Sequence, residues 1–545
     1  MIGTRVVALA GVLTLAGARA EGQTPVLTLD GPTAFANYGW SLSAAGDVDQ
    51  DGVPDLVVGG LQAFPSAQYA GGVFLHSGRT GAVLLSWSGP TQGSEFGQSV
   101  DAAADVDQDG KNDVLVGAPS YTSSQAGKFM HGLVRVVSTG TSQTIWSFEG
   151  DASGDGLGAA VSFAGDVDAD GFVDLVAGAP DDDDFGSSSG SVRVWSGQTG
   201  LVLWTIHGQE AFGYDGSAVS AAGDFDQDGK GDVLVGAFGV GPGFTGRARV
   251  LSGANGAPLK TWVGGTGNDS LGHAVERVGD VDGDGTPDLA IAAPGATVAA
   301  ASDGEVLVVS GVGGATILQL TGAAAGDSLG LSIAGLDADG DAFGDLLIGG
   351  QARATLFSGS NGAADWTVDS AAATLFGFAV AGIGDLDGDG FGDGAVGAAA
   401  ADPSGVTDAG TVTVWSGCTR REEYGDGCPG TGGFVPSLSF DVCPAAGAAT
   451  TFRIEGGLGG APAVVLIGAV ATSIPAGGSC ELLVAPLVTQ IPLPLLGAGA
   501  GNGAIAIPVT IPASVAGSSA TIQAFVGDGG VATGFSASAG LALDF

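Results

Sequence analysis

Basic residues are scarce: 16 lysines and arginines stand against 58 aspartates and glutamates, for a formal net charge of -42. That deficit excludes binding driven by nucleic-acid phosphates or by an anionic membrane surface, both of which need clustered positive charge. Histidine is rarer still. His76, His131, His207 and His273 are scattered, and no H-E-x-x-H or other metal triad appears. His76 takes a strand position equivalent to Val136 or Val194, which reads as packing rather than catalysis. Long apolar runs are also missing. Segments 457–471 and 482–498 are apolar but broken by Gly, Pro, Thr489 and Gln490, so they read as strands and turns. The four cysteines, Cys418, Cys428, Cys443 and Cys480, all fall late in the chain, with no C-x-x-C and no histidine beyond His273. Zinc is therefore disfavoured. Of the three possible pairings, nearness in sequence favours disulfides Cys418–Cys428 and Cys443–Cys480.

Disulfides presuppose export, and the N-terminus reads as a secretory leader. Arg5 supplies positive charge, residues 6–17 (VVALAGVLTLAG) are apolar, and Ala18, Arg19 and Ala20 form an A-x-A cleavage site. The apolar stretch is shorter than the roughly 20 residues that span a bilayer, although an uncleaved anchor is the rival reading. A mature, soluble protein that is secreted or held at the cell surface is expected, without a membrane span.

Aspartate and glycine are what the chain has in abundance. The word D-x-D-x-D-G-x-x-D begins at Asp47, Asp105, Asp166, Asp224, Asp280, Asp337 and Asp385, with gaps of 58, 61, 58, 56, 57 and 48 residues. A recurring unit of this length points to a closed ring of similar supersecondary units. The seven words hold 28 of the 58 acids, so seven divalent cations would bring the formal charge from -42 to -28.

Around each word, short runs rich in Val and Leu read as four strands, in the first repeat near residues 41–45, 56–59, 73–76 and 83–87. Recurrent S-G-x-x-G turns join them into antiparallel meanders. The seventh repeat stops at VTVWSGC (412–418), one strand short, while an orphan strand, VLTLDG (26–31), precedes the first. The economical solution is that the N-terminal strand completes the seventh sheet and leaves no open sheet faces in the ring.

Phe96-Gly97, then 105–113, then Val116-Gly117-Ala118-Pro119 resembles the FG-GAP repeat of integrin α-subunit β-propellers and their bacterial relatives. Leu157-Gly158, 166–174 and Gly178-Ala179-Pro180 repeat the pattern. The resemblance covers residues 25–417 and implies an all-β, seven-bladed β-propeller with calcium in the loop between the first two strands of each blade. Integrins carry such loops in only some blades, so a full set of seven is a departure, as is the lack of an integrin-like leg or membrane segment.

Oxygen-only donors at alternate positions of a tight loop suit a hard cation of six to eight coordination, Ca²⁺ above Mg²⁺. The expected ligands are side chains at positions 1, 3, 5 and 9 and the carbonyl at 7. They are Asp47, Asp49, Asp51, Val53 and Asp55; Asp105, Asp107, Asp109, Lys111 and Asp113; and Asp166, Asp168, Asp170, Phe172 and Asp174. The same positions give Asp224, Asp226, Asp228, Lys230 and Asp232; Asp280, Asp282, Asp284, Thr286 and Asp288; Asp337, Asp339, Asp341, Phe343 and Asp345; and Asp385, Asp387, Asp389, Phe391 and Asp393. In the sixth word Ala342 replaces the bend glycine, so up to seven Ca²⁺ are expected with the sixth site weakest. Their role is structural.

No catalytic residue is assigned. Gly186-Ser187-Ser188-Ser189-Gly190 matches the nucleophile-elbow pattern but sits in a Ser/Gly loop. The aspartate run 181–184 reads as a solvated loop, or else as a further cation or basic-partner contact. After a glycine-rich linker (418–432), residues 433–545 lack the repeat and suggest a small immunoglobulin-like β-sandwich of about seven short strands. The composite expectation is an exported calcium-binding propeller that binds an extracellular protein or polysaccharide, and no nucleic acid. The alternatives are a polysaccharide-active lyase or hydrolase, and a structural envelope component.

Overall fold

The computed structural model describes residues 25–545 except 64–69, 124–126, 266, 371–373, 418–420, 425–434, 441–448, 460, 478–479, 496–498, 511–518, 529–534, 539 and 545. The expected leader lies outside the described residues, and so do Cys418, Cys428 and Cys443, at least one member of each expected cysteine pair. The chain divides into two compact units, one of residues 23–338 and 342–417, the other of residues 418–545 with which residues 339–341 also cluster.

The second strand of every blade is a continuous apolar run, such as DVLVGA in Asp113–Ala118, buried along its whole length. A strand apolar on both faces must be covered on both faces, here by the adjoining blades. Fourth strands are instead largely exposed or half-buried. TIWSFE in Thr144–Glu149 has no fully buried residue, which suits an outer edge. In the first blade Tyr38–Gly46, Asp55–Gly60, Gly72–His76 and Val83–Ser88 lie side by side in chain order. Five further four-stranded sheets repeat that order, opening with Ser99–Ala104, Ala160–Gly165, Ala218–Gly223, Val275–Arg277 and Ser332–Leu336. The seventh comprises Phe376–Gly384, Asp393–Ala398 and Thr411–Trp415.

Its fourth strand is Pro25–Asp30, from the other end of the chain. That strand runs antiparallel to Thr411–Trp415, with Leu29 opposite Val412. Leu42 and Leu56 of the first blade share one buried core with Ala379 and Ala395 of the seventh. The unit is a seven-bladed β-propeller in which first and last blades are neighbours.

The paired glycines of the repeat explain themselves where blades meet. Gly158 turns at φ +91°, and a Cβ on Gly117 of the preceding blade would lie 1.9 Å from its carbonyl oxygen. Gly397 stands in the same relation to Gly39, at 2.1 Å, across the junction of last and first blades. Backbone cannot yield as a side-chain tip can, so Gly117→Ala is expected to cost about 3 kcal/mol. Denaturant titration checks this, and an unchanged midpoint would show that the blades do not abut there.

Nine strands make up the described part of the second unit. Arg421–Tyr424, Gly540–Asp544, Ser519–Gly527, Pro462–Gly477 and Cys480–Pro494 form one sheet, with Phe535–Ala537 pairing to Ser519–Gly527. Ser437–Phe440, Ala449–Gly459 and Gly499–Thr510 form the other. Leu438, Phe452 and Ile454 of the smaller sheet share a core with Val465, Ile467, Ile522 and Val526 of the larger. Several strands are longer than the short ones expected, Pro462–Gly477 reaching 16 residues. Glycines and prolines that read as turns instead fall within the strands, where the register slips at Ile467/Gly468 and Pro475/Gly477. Residues 421–424, expected within the linker, are a strand.

Candidate metal centre: the aspartate loops

Each word occupies the turn from first to second strand, and its ninth residue begins the second strand. The loop closes on its own backbone. In the first copy, the Asp51 N–H donates to Asp47 Oδ1 (2.9 Å) and the Gly52 N–H to Asp47 Oδ2 (2.9 Å). The Asp51 N–H also approaches Asp49 Oδ1 at 3.2 Å, and the Val53 N–H donates to Asp51 Oδ1 (3.0 Å). The same bonds to the first aspartate recur at Asp105, Asp166, Asp224, Asp280 and Asp385. Backbone donors thus aim the carboxylates before any cation arrives. The position-7 N–H of Lys111, Phe172, Lys230, Thr286 and Phe391 likewise holds the fifth-position carboxylate.

Three carboxylates converge. One ligand oxygen each of Asp47, Asp49 and Asp55 lies within 4.8 Å of the others, as do those of Asp105, Asp107 and Asp113, and of Asp166, Asp168 and Asp174. In the fourth loop the convergent set is Asp224, Asp226 and Asp228. Such clusters are acceptor-only and fit a hard divalent cation. Arg79 meets part of the charge in the first loop, its Nε donating to Asp51 Oδ2 at 2.9 Å.

The ninth aspartate has a second role that the word alone does not disclose. Asp55, Asp113, Asp174, Asp232, Asp288, Asp345 and Asp393 are all fully buried. Asp55 Oδ2 accepts the Val48 N–H (2.8 Å) and its Oδ1 the Gly78 N–H (3.0 Å), which ties the loop to the turn between third and fourth strands. Gly197, Gly253, Gly311 and Gly359 make the equivalent bond to their own ninth aspartates. Burial outweighs these bonds in the cation-free protein. It pushes the Asp113, Asp174 and Asp232 carboxyls up to about 6 and Asp393 to about 8. In the sixth loop Ala342 adopts the bend with φ 68°, in the left-handed region disfavoured for a residue with a Cβ.

Position-7 lysines also reach sideways. Lys111 Nζ donates to the Val48 carbonyl of the preceding blade's loop at 2.7 Å, and Lys230 Nζ approaches the Asp168 carbonyl at 3.4 Å. These contacts link neighbouring loops around the rim.

In an antiparallel blade the loops alternate between ends. The aspartate loops and the third-to-fourth turns lie at one end; the second-to-third loops and the links between blades lie at the other. Phe129, Met130, Phe185, Phe244, Val298 and Val406 stand exposed in second-to-third loops, and Phe35 and Phe212 in links between blades. The exposed phenylalanines of these loops and links therefore lie at the end opposite the acids, whereas Val83, Leu201, Val202 and Val312 are exposed at or beside the third-to-fourth turns of the acidic end.

His76 is buried, its Nε2 2.6 Å from the Tyr38 hydroxyl and its Nδ1 2.9 Å from the Gly81 carbonyl oxygen. It packs, as expected. Residues 186–190 lie in a turn between strands Asp174–Ala179 and Ser191–Trp195, with no helix following. The Ser189 hydroxyl is engaged by the Asp182 carbonyl.

Comparison with known proteins agrees with this architecture. The FG-GAP repeat matches residues 38–76, 96–129 and 277–309. The chain is 29% identical to integrin alpha-5 of Xenopus laevis over 219 residues, 37% of this chain and 20% of that protein. It is 32% identical to integrin alpha-V of Gallus gallus over 116 residues (20% and 11%) and 29% identical to integrin alpha pat-2 of Caenorhabditis elegans over 260 (46% and 17%). The matched part spans a fifth or less of each relative's length. Among the described residues, no helix is long and apolar enough to cross a membrane.

Proposed function

From the premise that this is an FG-GAP repeat protein, similar in its propeller to integrin α-subunits, we propose a calcium-stabilised binding or adhesion protein that acts outside the cell or at its surface. One observation carries the reading: exposed Phe129, Phe185, Phe212 and Phe244 lie at the end of the blades opposite the aspartate loops. Calcium binding in the aspartate loops and partner binding then have separate ends. Calcium in the loops bridges carboxylates from loop and second strand and stiffens each blade, through ligands that bind the folded state alone. The opposite end presents apolar anchors rimmed by polar loops, the pattern of an interaction surface.

The partner is an extracellular protein or a polysaccharide. The test is capture of the full chain by immobilised polysaccharides and cell-envelope fractions, with calcium and with chelator. Capture that needs calcium and is lost in Phe212→Ala/Phe244→Ala, while calcium uptake is unchanged, supports the reading. Capture indifferent to both changes sinks it. Within the loops, the strained bend at Ala342 makes the sixth site the weakest. At limiting calcium, Ala342→Gly should raise total uptake; an unchanged isotherm contradicts this.

A further inference from the structure

The aspartate run 181–184 and His207 are remote in sequence, but the fold brings them together at the partner-binding end of the third blade. Asp182 and Asp184 lie in the loop after Asp174–Ala179, and His207 ends the fourth strand, Val202–His207. One ligand atom each of Asp182, Asp184 and His207 lies within 4.8 Å of the others. We propose that these three residues form a second kind of cation site, for a borderline divalent ion of the Zn²⁺ or Co²⁺ class, distinct from the seven aspartate loops.

The geometry of the nitrogen carries the argument. His207 Nδ1 is a buried atom with no hydrogen-bond partner. It faces Asp182 Oδ2 at 3.5 Å and Asp184 Oδ2 at 3.9 Å. Two ligands bound tetrahedrally at about 2.1 Å stand about 3.4 Å apart, so the first distance suits two atoms sharing a metal. An imidazole nitrogen with two carboxylates selects against Ca²⁺, which prefers oxygen, and favours a borderline ion.

The ligands are also supported. The Asp182 side chain is only 4% exposed. Its Oδ1 accepts the Asp184 N–H at 2.8 Å, which leaves Oδ2 turned to the histidine. The Asp182 carbonyl accepts the Gly190 N–H (3.0 Å) and the Ser189 hydroxyl (3.2 Å), fixing the loop. Phe185 covers the imidazole, with ring centroids 4.8 Å apart. Asp184 is 59% exposed, so one side of the site opens to solvent. Three protein ligands with an open position leave room for water or for an acidic group of a partner.

This assignment is independent of the calcium reading. The test uses the full chain saturated with calcium, which occupies oxygen-only sites, then titrated with Zn²⁺ by calorimetry and with Co²⁺ by visible absorption. Expected is one further ion per chain, with affinity reduced at least about tenfold in both His207→Ala and Asp184→Asn. The Co²⁺ bands should change in the histidine variant. Both side chains are partly exposed, so the variants should fold, and an unchanged Tm in calcium confirms it. Zn²⁺ uptake identical in wild type and His207→Ala, or no uptake at all, overturns the proposal.

Discussion

Asp215→Ala should destabilise the propeller by about 3–5 kcal/mol, among the largest effects available to a single side chain. Asp215 occupies the position that Phe96, Leu157, Leu271 and Leu329 fill in other blades, and it is fully buried. Arg247 Nη2 donates to its Oδ2 at 2.9 Å, and Arg249 Nη2 donates to its Oδ1. Burial draws the Arg249 guanidinium below its ordinary pKa, and the Asp215 carboxylate counters that pull. Removing the acid leaves two arginines from neighbouring positions of one strand facing each other with their main counter-charge gone. Restoring an apolar plug, Asp215→Leu with Arg247→Leu and Arg249→Leu, should recover most of the loss, because a buried ion pair seldom outperforms packed hydrocarbon. Urea midpoints of the two variants check this. A shift below about 1 kcal/mol for Asp215→Ala would show that the triad carries little.

Calcium should reverse how stability responds to pH. In chelator, burial disfavours the charge of the Asp113, Asp174 and Asp232 carboxyls and pushes their folded-state pKa up from the ordinary 3.8 to about 6. The folded state therefore binds more protons than the unfolded state between those values, and stability falls as pH rises through that window. Each group withholds about 3 kcal/mol above its folded pKa and nothing below 3.8. The cation-free protein should thus melt at a higher temperature at pH 5 than at pH 7. With saturating calcium the ordering inverts, since protons then compete with the ion for the same oxygens. At 100 times Kd, each filled site adds about 2.7 kcal/mol. Melting curves at both pH values with and without calcium decide the matter; parallel responses would mean that the buried aspartates and the ion are uncoupled.

The parts of this molecule legible in the sequence are those that repeat. The seven aspartate words, the apolar second strands and the missing fourth strand of the seventh repeat each follow from local pattern, and Pro25–Asp30 pairs where that reading places it. Contacts between strands of different parts of a repeat were not legible. Asp215 looks like one more acid until the link between blades carries it beside Arg247 and Arg249. His207 looks isolated until the meander folds it beside Asp182. A sheet register is needed for both, and alternation alone does not supply one. The ninth aspartates read as candidate ligands, but their role as anchors stayed hidden: the partner is a backbone N–H, and the S-G-x-x-G turn that carries it reads only as a turn. Beyond Gly417 the expectation of short strands failed where glycine and proline sit at bulges rather than turns.

The most direct test of the account is a calcium count on the chelator-stripped and reloaded protein, by equilibrium dialysis with elemental analysis, alongside its melting temperature. The account predicts about seven ions per chain, one released first as calcium becomes limiting, and a Tm that rises with loading. Calcium bound at fewer than one ion per chain, or a melting temperature indifferent to full loading, would contradict it.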